Sequence, residues 1–404
     1  MGEVILINIT GKDKKRLTSI FTGIIANSDA NILDIGQSVI HDQISMGVLV
    51  EIPESKKTSS VVKDLLFEAH KYELKATFTP VDLDEYEEWI LEQDKQRRIL
   101  VLMGKELSAK QISQVCGVMS DHNINIDTIT RLSERVSLKK DNTEHITAIQ
   151  IYVSGTPVDP LKMREDIMNI SKAAGIDVSF QIDDIYRKNR KLVVFDMDST
   201  LIQTEVIDEL AKIAGKEEEV SKITALAMEG KMDFDESFKK RVALLKGITL
   251  DEIKEMPKRL PLSDGAERVT RILKRLGYKI AIISGGFTCV GEYLKDKLNL
   301  DYAFANELDI KNRVVTGKIR GEIVNGAKKA SLLRELAQKE NLSLAQTIAV
   351  GDGANDLPMI SIAGLGVAFE AKPSVKEKAD SALSKVGLDG LLYLLGIHER
   401  ELDK

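Results

Sequence analysis

At 404 residues, with 57 basic and 63 acidic side chains and a net charge of −6, the chain has length for two or three domains. It is too acidic for a generic binder of nucleic acid or anionic membrane. No apolar run approaches the roughly 20 residues that span a bilayer, and Met1-Gly2-Glu3 opens neither a signal peptide nor a myristoylation site. Cys116 and Cys289 stand far apart and build no disulfide framework or zinc site, so the expectation is a multidomain protein of the reducing cytoplasm.

The first half repeats itself. Val4-Ile5-Leu6-Ile7-Asn8-Ile9 reads as a buried strand, followed by a turn containing Gly11 and Asp13, a helix over about 16–27, and a strand opening at Asn31-Ile32. The same order returns at Ile99-Leu100-Val101-Leu102-Met103, Gly104, a helix over about 110–121, and Asn125-Ile126. Each copy then adds a strand (48–52 and 149–153), a helix (58–70 and 159–174) and a last strand (74–79 and 178–182). The order β-α-β-β-α-β, twice, predicts two ferredoxin-like domains over 1–82 and 98–184. Between them, residues 83–97 are charge-dense and read as a solvated linker helix.

From 185 to 404 strands alternate with helices, which predicts an α/β domain with a parallel sheet. Leu192-Val193-Val194-Phe195, Lys279-Ile280-Ala281-Ile282-Ile283 and Thr347-Ile348-Ala349-Val350 are its core strands. They end at Asp196-Met197-Asp198, Ser284-Gly285-Gly286 and Gly351-Asp352-Gly353. Ligands of open α/β sheets bind outside the carboxyl ends of the strands, so these three turns converge on one site. Residues 205–260 are helical throughout and form a cap inserted between the first two core strands.

Two carboxylates spaced i and i+2 after a buried strand suit a nucleophile and a proton donor. Asp196 attacking phosphorus would form an aspartyl-phosphate, and Asp198 would protonate the leaving oxygen and then deprotonate the hydrolytic water. Two anions facing a phosphate need a hard cation, and Mg²⁺ suits their oxygens. The Ser284-Gly285-Gly286 turn offers a hydroxyl and open N–H groups to phosphoryl oxygens. Lys328 could neutralise phosphoryl charge, and Gly351-Asp352-Gly353-Ala354-Asn355-Asp356 suits a metal site. Read singly, each of these is also an ordinary turn or a surface lysine.

Together and in this order, the D-x-D-x-T, S-G-G, Lys and G-D-G-x-N-D motifs resemble the haloacid dehalogenase superfamily of phosphohydrolases over about 191–396. The resemblance implies a Rossmann-like core with Asp196 as nucleophile and Asp198 as acid/base. It implies Mg²⁺ held by Asp196, the Asp198 carbonyl and Asp352. Ser284, Gly285 N–H and Lys328 would take the phosphoryl group, with Asn355 and Asp356 around metal and lysine. Lys328 is chosen over Lys329 on the match of Asn325-Gly326-Ala327-Lys328, where the family more often reads Asn-Ala-Lys.

The cap specifies the substrate. An acid and an arginine are what a zwitterionic amino-acid phosphate requires: Glu205 for its ammonium and Arg241 for its carboxylate. The run Met228-Glu229-Gly230-Lys231-Met232-Asp233-Phe234, with Arg241-Val242, resembles the cap of the phosphoserine phosphatases, which implies Met228 and Phe234 as an apolar wall. The N-terminal copies resemble ACT domains, implying an amino-acid effector such as serine at Gly11, Asp13, Asn31 and Ile32, and a homodimer. The resulting expectation is hydrolysis of O-phospho-L-serine, the last step of L-serine biosynthesis. A related phosphotransferase, a broader small-molecule phosphatase and an amino-acid-sensing binding protein stay open at this point.

Overall fold

Alternating apolar side chains build the N-terminal domain. The computed structural model describes residues 2–93, 97–139, 145–228 and 231–402. Ile5, Ile7 and Ile9 of β1 (Glu3–Lys12) meet Phe21 of α1 (Leu17–Ala26) in one core. The sheet adds β2 (Asn31–Ile40), β3 (Gln43–Ile52) and β4 (Lys75–Val81) in the order β2-β3-β1-β4, antiparallel throughout. Val61 and Leu65 of α2 (Thr58–Lys71) complete that core. The charge-dense segment that follows forms α3 (Leu83–Gln93), and the expected linker's residues 94–96 lie outside the described residues.

The chain packs as two units, residues 1–95 and 96–404. The second ferredoxin-like copy therefore belongs with the α/β domain. It contains β5 (Arg98–Gly104), α4 (Ala109–Asp121), β6 (Asn125–Arg131), β7 (Thr147–Ser154), α5 (Pro160–Ala174) and β8 (Asp177–Ile182), in the sheet order β6-β7-β5-β8. Helix α5 is punctuated as its sequence predicts: Asp159 caps the first turn, Pro160 opens it, and Gly175 at φ 67° ends it. Strand β5 is buried on both faces. Leu100 and Leu102 point to α4 and α5, whereas Ile99, Val101 and Met103 join the core of the α/β domain. A continuous apolar run, in place of an alternating one, marks such a doubly covered strand.

The joint is also polar and specific. The Asp177 carboxylate accepts backbone N–H bonds from Ser384, Lys385 and Val386 at 2.8–3.2 Å. The Ser179 and Ser381 hydroxyls lie 2.6 Å apart. Glu399 accepts from Glu134 N and pairs with Arg268.

The α/β domain opens with β9 (Leu192–Phe195), every residue of it buried. Then come four cap helices: α6 (Val206–Ala214), α7 (Glu217–Met228), α8 (Phe234–Ala243) and α9 (Leu250–Glu255). The main elements that follow are α10 (Ala266–Arg275), β10 (Lys279–Phe287), α11 (Thr288–Lys297), β11 (Tyr302–Lys311), β12 (Val314–Arg320), α12 (Gly326–Lys339), β13 (Thr347–Gly351), β14 (Leu365–Phe369) and β15 (Ser381–Leu383), with short helices at Leu357–Ile360, Pro373–Lys376 and Gly390–Leu394. The sheet order is β12-β11-β10-β9-β13-β14-β15, parallel except for β12. This is the Rossmann-like arrangement expected. Strand β9 is central, with β10 on one side and β13 on the other, so a crevice opens at their carboxyl ends.

The β11–β12 hairpin is not evident from the sequence patterning. Asn312 and Arg313 at its tip both adopt positive φ (51° and 64°), the twist a two-residue hairpin turn favours. It anchors the far end of the cap through Gly247 N to Val315 O (3.0 Å), Val315 N to Ile248 O (2.9 Å) and Leu250 N to Arg313 O (2.9 Å). No helix among the described residues is long and apolar enough to cross a membrane.

Candidate active site

Three strand ends bring the predicted turns together. Asp196 follows β9, and its carboxylate accepts from Met197 N at 2.8 Å. The chain then turns sharply through Ser199, a non-glycine residue at φ 55°. Ser199 donates its hydroxyl to Glu205 at 3.0 Å, and Val206 N at the start of α6 donates to Asp198 Oδ1 at 3.1 Å. The first cap helix is thereby tied to the loop that bears both core carboxylates. Ser199 carries no role in the sequence reading. Its signal would have been its place between Asp198 and Glu205, where a hydroxyl can reach the first cap carboxylate.

On the β10 side, Ser284 is fully buried and accepts from Gly286 N at 2.8 Å. Asn306 fixes this turn by donating to Gly285 O (2.8 Å) while accepting from Val324 N (2.9 Å). Glycine is required at 286, because a Cβ there would stand 2.5 Å from Met197 Cε and 2.6 Å from Asp198 Oδ2. On the β13 side, Gly351 leaves room for Asp356, whose carboxyl carbon would lie 2.4 Å from an added Cβ. Thr200 donates to Asp352 at 3.4 Å, and Asn355 Oδ1 lies over Gly353.

The lysine is the principal correction. Lys329, not Lys328, enters the site. It is wholly buried, with Nζ 2.7 Å from Asp196 Oδ1 and 2.6 Å from Asp356 Oδ1. Lys328, one residue earlier on α12, points away and pairs with Glu322 at 2.9 Å. Successive helix residues differ by about 100°, so neighbours cannot share a face. Asp356 is placed more centrally than the sequence reading has it. Carboxylate oxygens of Asp196, Asp352 and Asp356 all lie within 4.8 Å of one another. The oxygens of Asp356 are engaged, however, one by Lys329 and the other by Gly353 N at 2.9 Å.

The electrostatics fit a hard cation. Burial, then repulsion from Asp356, pushes Asp196 up to about 8, and burial with the same neighbour pushes Asp352 up to about 7. Burial opposes the charge on Lys329, yet Asp196 and Asp356 raise it above the ordinary lysine value. One ammonium cannot neutralise three carboxylates, and an all-oxygen set with this surplus charge suits Mg²⁺. Asp198 is driven well above the usual carboxylate range by burial and by the charges of Glu205 and Asp196, which favours a form that donates a proton.

In the cap, Arg241 of α8 has a buried Nε with no hydrogen-bond partner. Burial lowers its affinity for a proton, while Glu205, Asp208 and Asp198 act on it to the opposite effect. Glu205 is itself raised by burial. An acid and an under-satisfied guanidinium therefore both act electrostatically on Asp198. Phe234 stacks on Phe238 (centroids 6.2 Å apart), which stacks on Phe287 (5.8 Å), and Phe234 Cζ stands 3.8 Å from the place of a Cβ on Gly285. The side chain of Met228 lies outside the described residues.

The four residues expected to bind an effector do not meet within one domain. Gly11 pairs with Ile44 of β3, whereas Asn31 pairs with Glu51 at the other end of that strand. At about 3.3 Å per residue, the seven residues between their β3 partners put the two positions about 23 Å apart along the sheet. Gly11, at φ 151°, has an architectural role, since a Cβ would meet Leu74 at 2.7 Å. Asn31 donates to Glu51 at 3.2 Å, and Asp13 and Ile32 are exposed.

Comparison with known proteins places the chain in its family. Residues 190–364 match the haloacid dehalogenase-like hydrolase family, and residues 3–79 and 97–181 each match an ACT domain family. The chain is 37% identical over 399 residues to a phosphoserine phosphatase of Streptomyces coelicolor, covering 99% of this chain and 93% of that protein. It is 35% identical to phosphoserine phosphatase SerB2 of Mycobacterium tuberculosis, covering 99% and 94% respectively. Among solved structures, a probable phosphoserine phosphatase from Vibrio cholerae superposes with a TM-score of 0.59 at 35% identity, over 74% of this chain and 86% of that one. With the Asp196–Asp198 loop, buried lysine and carboxylate cluster in one crevice, and two ACT domains ahead of them, the chain belongs to the phosphoserine phosphatases of the haloacid dehalogenase-like hydrolases.

Proposed function

We propose that this hydrolase acts on O-phospho-L-serine with Mg²⁺, releasing L-serine and phosphate as the last step of L-serine biosynthesis in the cytoplasm. The observation that supports the substrate is that Glu205 and Arg241, whose buried Nε has no partner, act electrostatically on one another and on Asp198. Glu205 would take the ammonium and Arg241 the carboxylate, leaving the phosphoryl group over Asp196.

Asp196 and Asp352 side chains and the Asp198 carbonyl would hold the cation, which supplies charge neutralisation for the phosphoryl oxygens. Asp196 attacks phosphorus, forming an aspartyl-phosphate, and the serine oxygen leaves with the proton of Asp198. Asp198, now a carboxylate, takes a proton from water as that water attacks the same phosphorus and Asp196 is released. Ser284 and the Gly285 N–H would position the phosphoryl oxygens, with Asn355 beside them. Lys329 holds Asp196 oriented, and its ammonium favours the ionised form against burial and the repulsion of Asp356. Phe234 would screen the reaction from bulk water.

Phosphate release from phosphoserine and from an aryl phosphate, in wild type and Arg241→Ala, tests this reading. Loss of the guanidinium is expected to lower kcat/KM for phosphoserine about 100-fold and for aryl phosphate by less than about threefold. Equal losses on both substrates would overturn the assignment of Arg241.

We further propose that the ACT domains bind serine between two such domains, the Gly11–Asp13 turn of one facing Asn31–Ile32 of another. Edge strand β2 leaves Ile32, Ile35, Val39 and Ile40 exposed, a surface that pairing in a homodimer would cover. Saturating L-serine is expected to change sedimentation or turnover beyond simple product competition, and Asn31→Ala to remove that response. No change in either readout would reject it.

A further inference from the structure

A cleft of about 560 Å³ opens between α5 and β8 of the second ACT domain and residues 373–385 of the phosphatase domain. Its volume is that of a small-molecule site, about 300–1,000 Å³. The floor is apolar: Met163, Ile167 and Val178 are buried, and Met168 and Phe180 are partly open. Cations stand on both walls. Lys172 comes from α5, and Lys376 and Lys385 from the phosphatase side.

None of these three lysines forms an ion pair among the described residues. Arg164, also in the wall, donates to the Ala379 carbonyl. The acids nearby are largely engaged. Asp177 is held by three backbone N–H groups, although Lys376 acts on it at longer range, and Asp380 accepts from Gly366 N at 2.7 Å. Glu377 is left as the opposing charge.

In a chain of net charge −6, this combination of an apolar floor and unpaired cations selects a ligand of matching chemistry. We propose that the cleft binds a small organic anion, its apolar body on Ile167 and Phe180 and its acidic group among Lys172, Lys376 and Lys385. Because both domains contribute walls, the ligand favours the arrangement in which the joint is closed. The site is separate from the catalytic crevice and from the ACT positions considered above.

Titration of the full-length protein with anilinonaphthalene sulfonate, an apolar anion that fluoresces when it leaves water, tests the proposal. One saturable phase is expected, displaced by octanoate but not by octanol or inorganic phosphate. The double variant Lys376→Glu/Lys385→Glu should weaken that phase about tenfold or more. Lys378→Glu, on the same segment but outside the cleft, should leave it intact, with circular dichroism confirming that both variants fold. Absence of a saturable phase, or binding indifferent to the double substitution, overturns the site. Equal displacement by octanol overturns the anionic half of the recognition, and displacement by phosphate overturns the apolar half.

Discussion

Asp196→Asn is expected to lower phosphate release from phosphoserine about 10⁴-fold or more, because the amide cannot form the covalent intermediate. The replacement is nearly isosteric, and its amide oxygen can still accept from Met197 N, so the nucleophile loop should keep its shape. The sign of the stability effect follows from the same residue. Burial and Asp356 raise Asp196 to about 8 in the fold, above its ordinary value of 3.8. An acid whose folded value is raised binds its proton more tightly when folded, so its ionisation disfavours the fold as pH rises through that value. Without Mg²⁺ at pH 7 the Asn variant should therefore melt no lower than wild type. Phosphate assays paired with thermal melts separate the two effects. Retention of more than about 1% of wild-type turnover would mean that another group attacks phosphorus.

What the sequence made legible was set by physical contrast. Strands β9, β10 and β13 centre on the apolar runs Leu192–Phe195, Ile280–Ile283 and Ile348–Val350, each ended by a glycine- or aspartate-containing turn, so both the strands and the turns they aim could be read. The hairpin β11–β12 carries Asp309, Lys311, Thr316 and Arg320 on open faces and lacks that contrast. The packing of the second ACT domain on the phosphatase domain was latent in the text: Ile99 to Met103 is apolar at every position, while β1 is interrupted by Asn8. The effector positions needed another kind of information. A repeat locates residues along a chain, but only strand register shows that Gly11 and Asn31 lie at opposite ends of one sheet. The buried lysine of the site had a usable signal. Lys329 shares a stripe with Leu332, Leu333 and Leu336, spaced three, four and seven residues on, which is the buried face of α12.

That stripe sets up the sharpest discrimination in the molecule. Lys329→Met should cut turnover by about 10³-fold, since the ammonium that orients Asp196 and offsets phosphoryl charge is gone. It should also destabilise the protein by about 3–5 kcal/mol, because Asp196 and Asp356 are left buried together without a counter-charge. Part of that loss should return on adding Mg²⁺, which replaces some of the missing positive charge, and part on lowering the pH, which protonates the stranded acids. Lys328→Met removes only a solvent-facing pair with Glu322 and should leave turnover and melting temperature unchanged. Two adjacent lysines thus give opposite expectations from one helix. A Lys328 variant that lost activity while the Lys329 variant kept it would restore the assignment drawn from the family match at Asn325-Gly326-Ala327-Lys328, and would require α12 to be rotated by about one residue, roughly 100°.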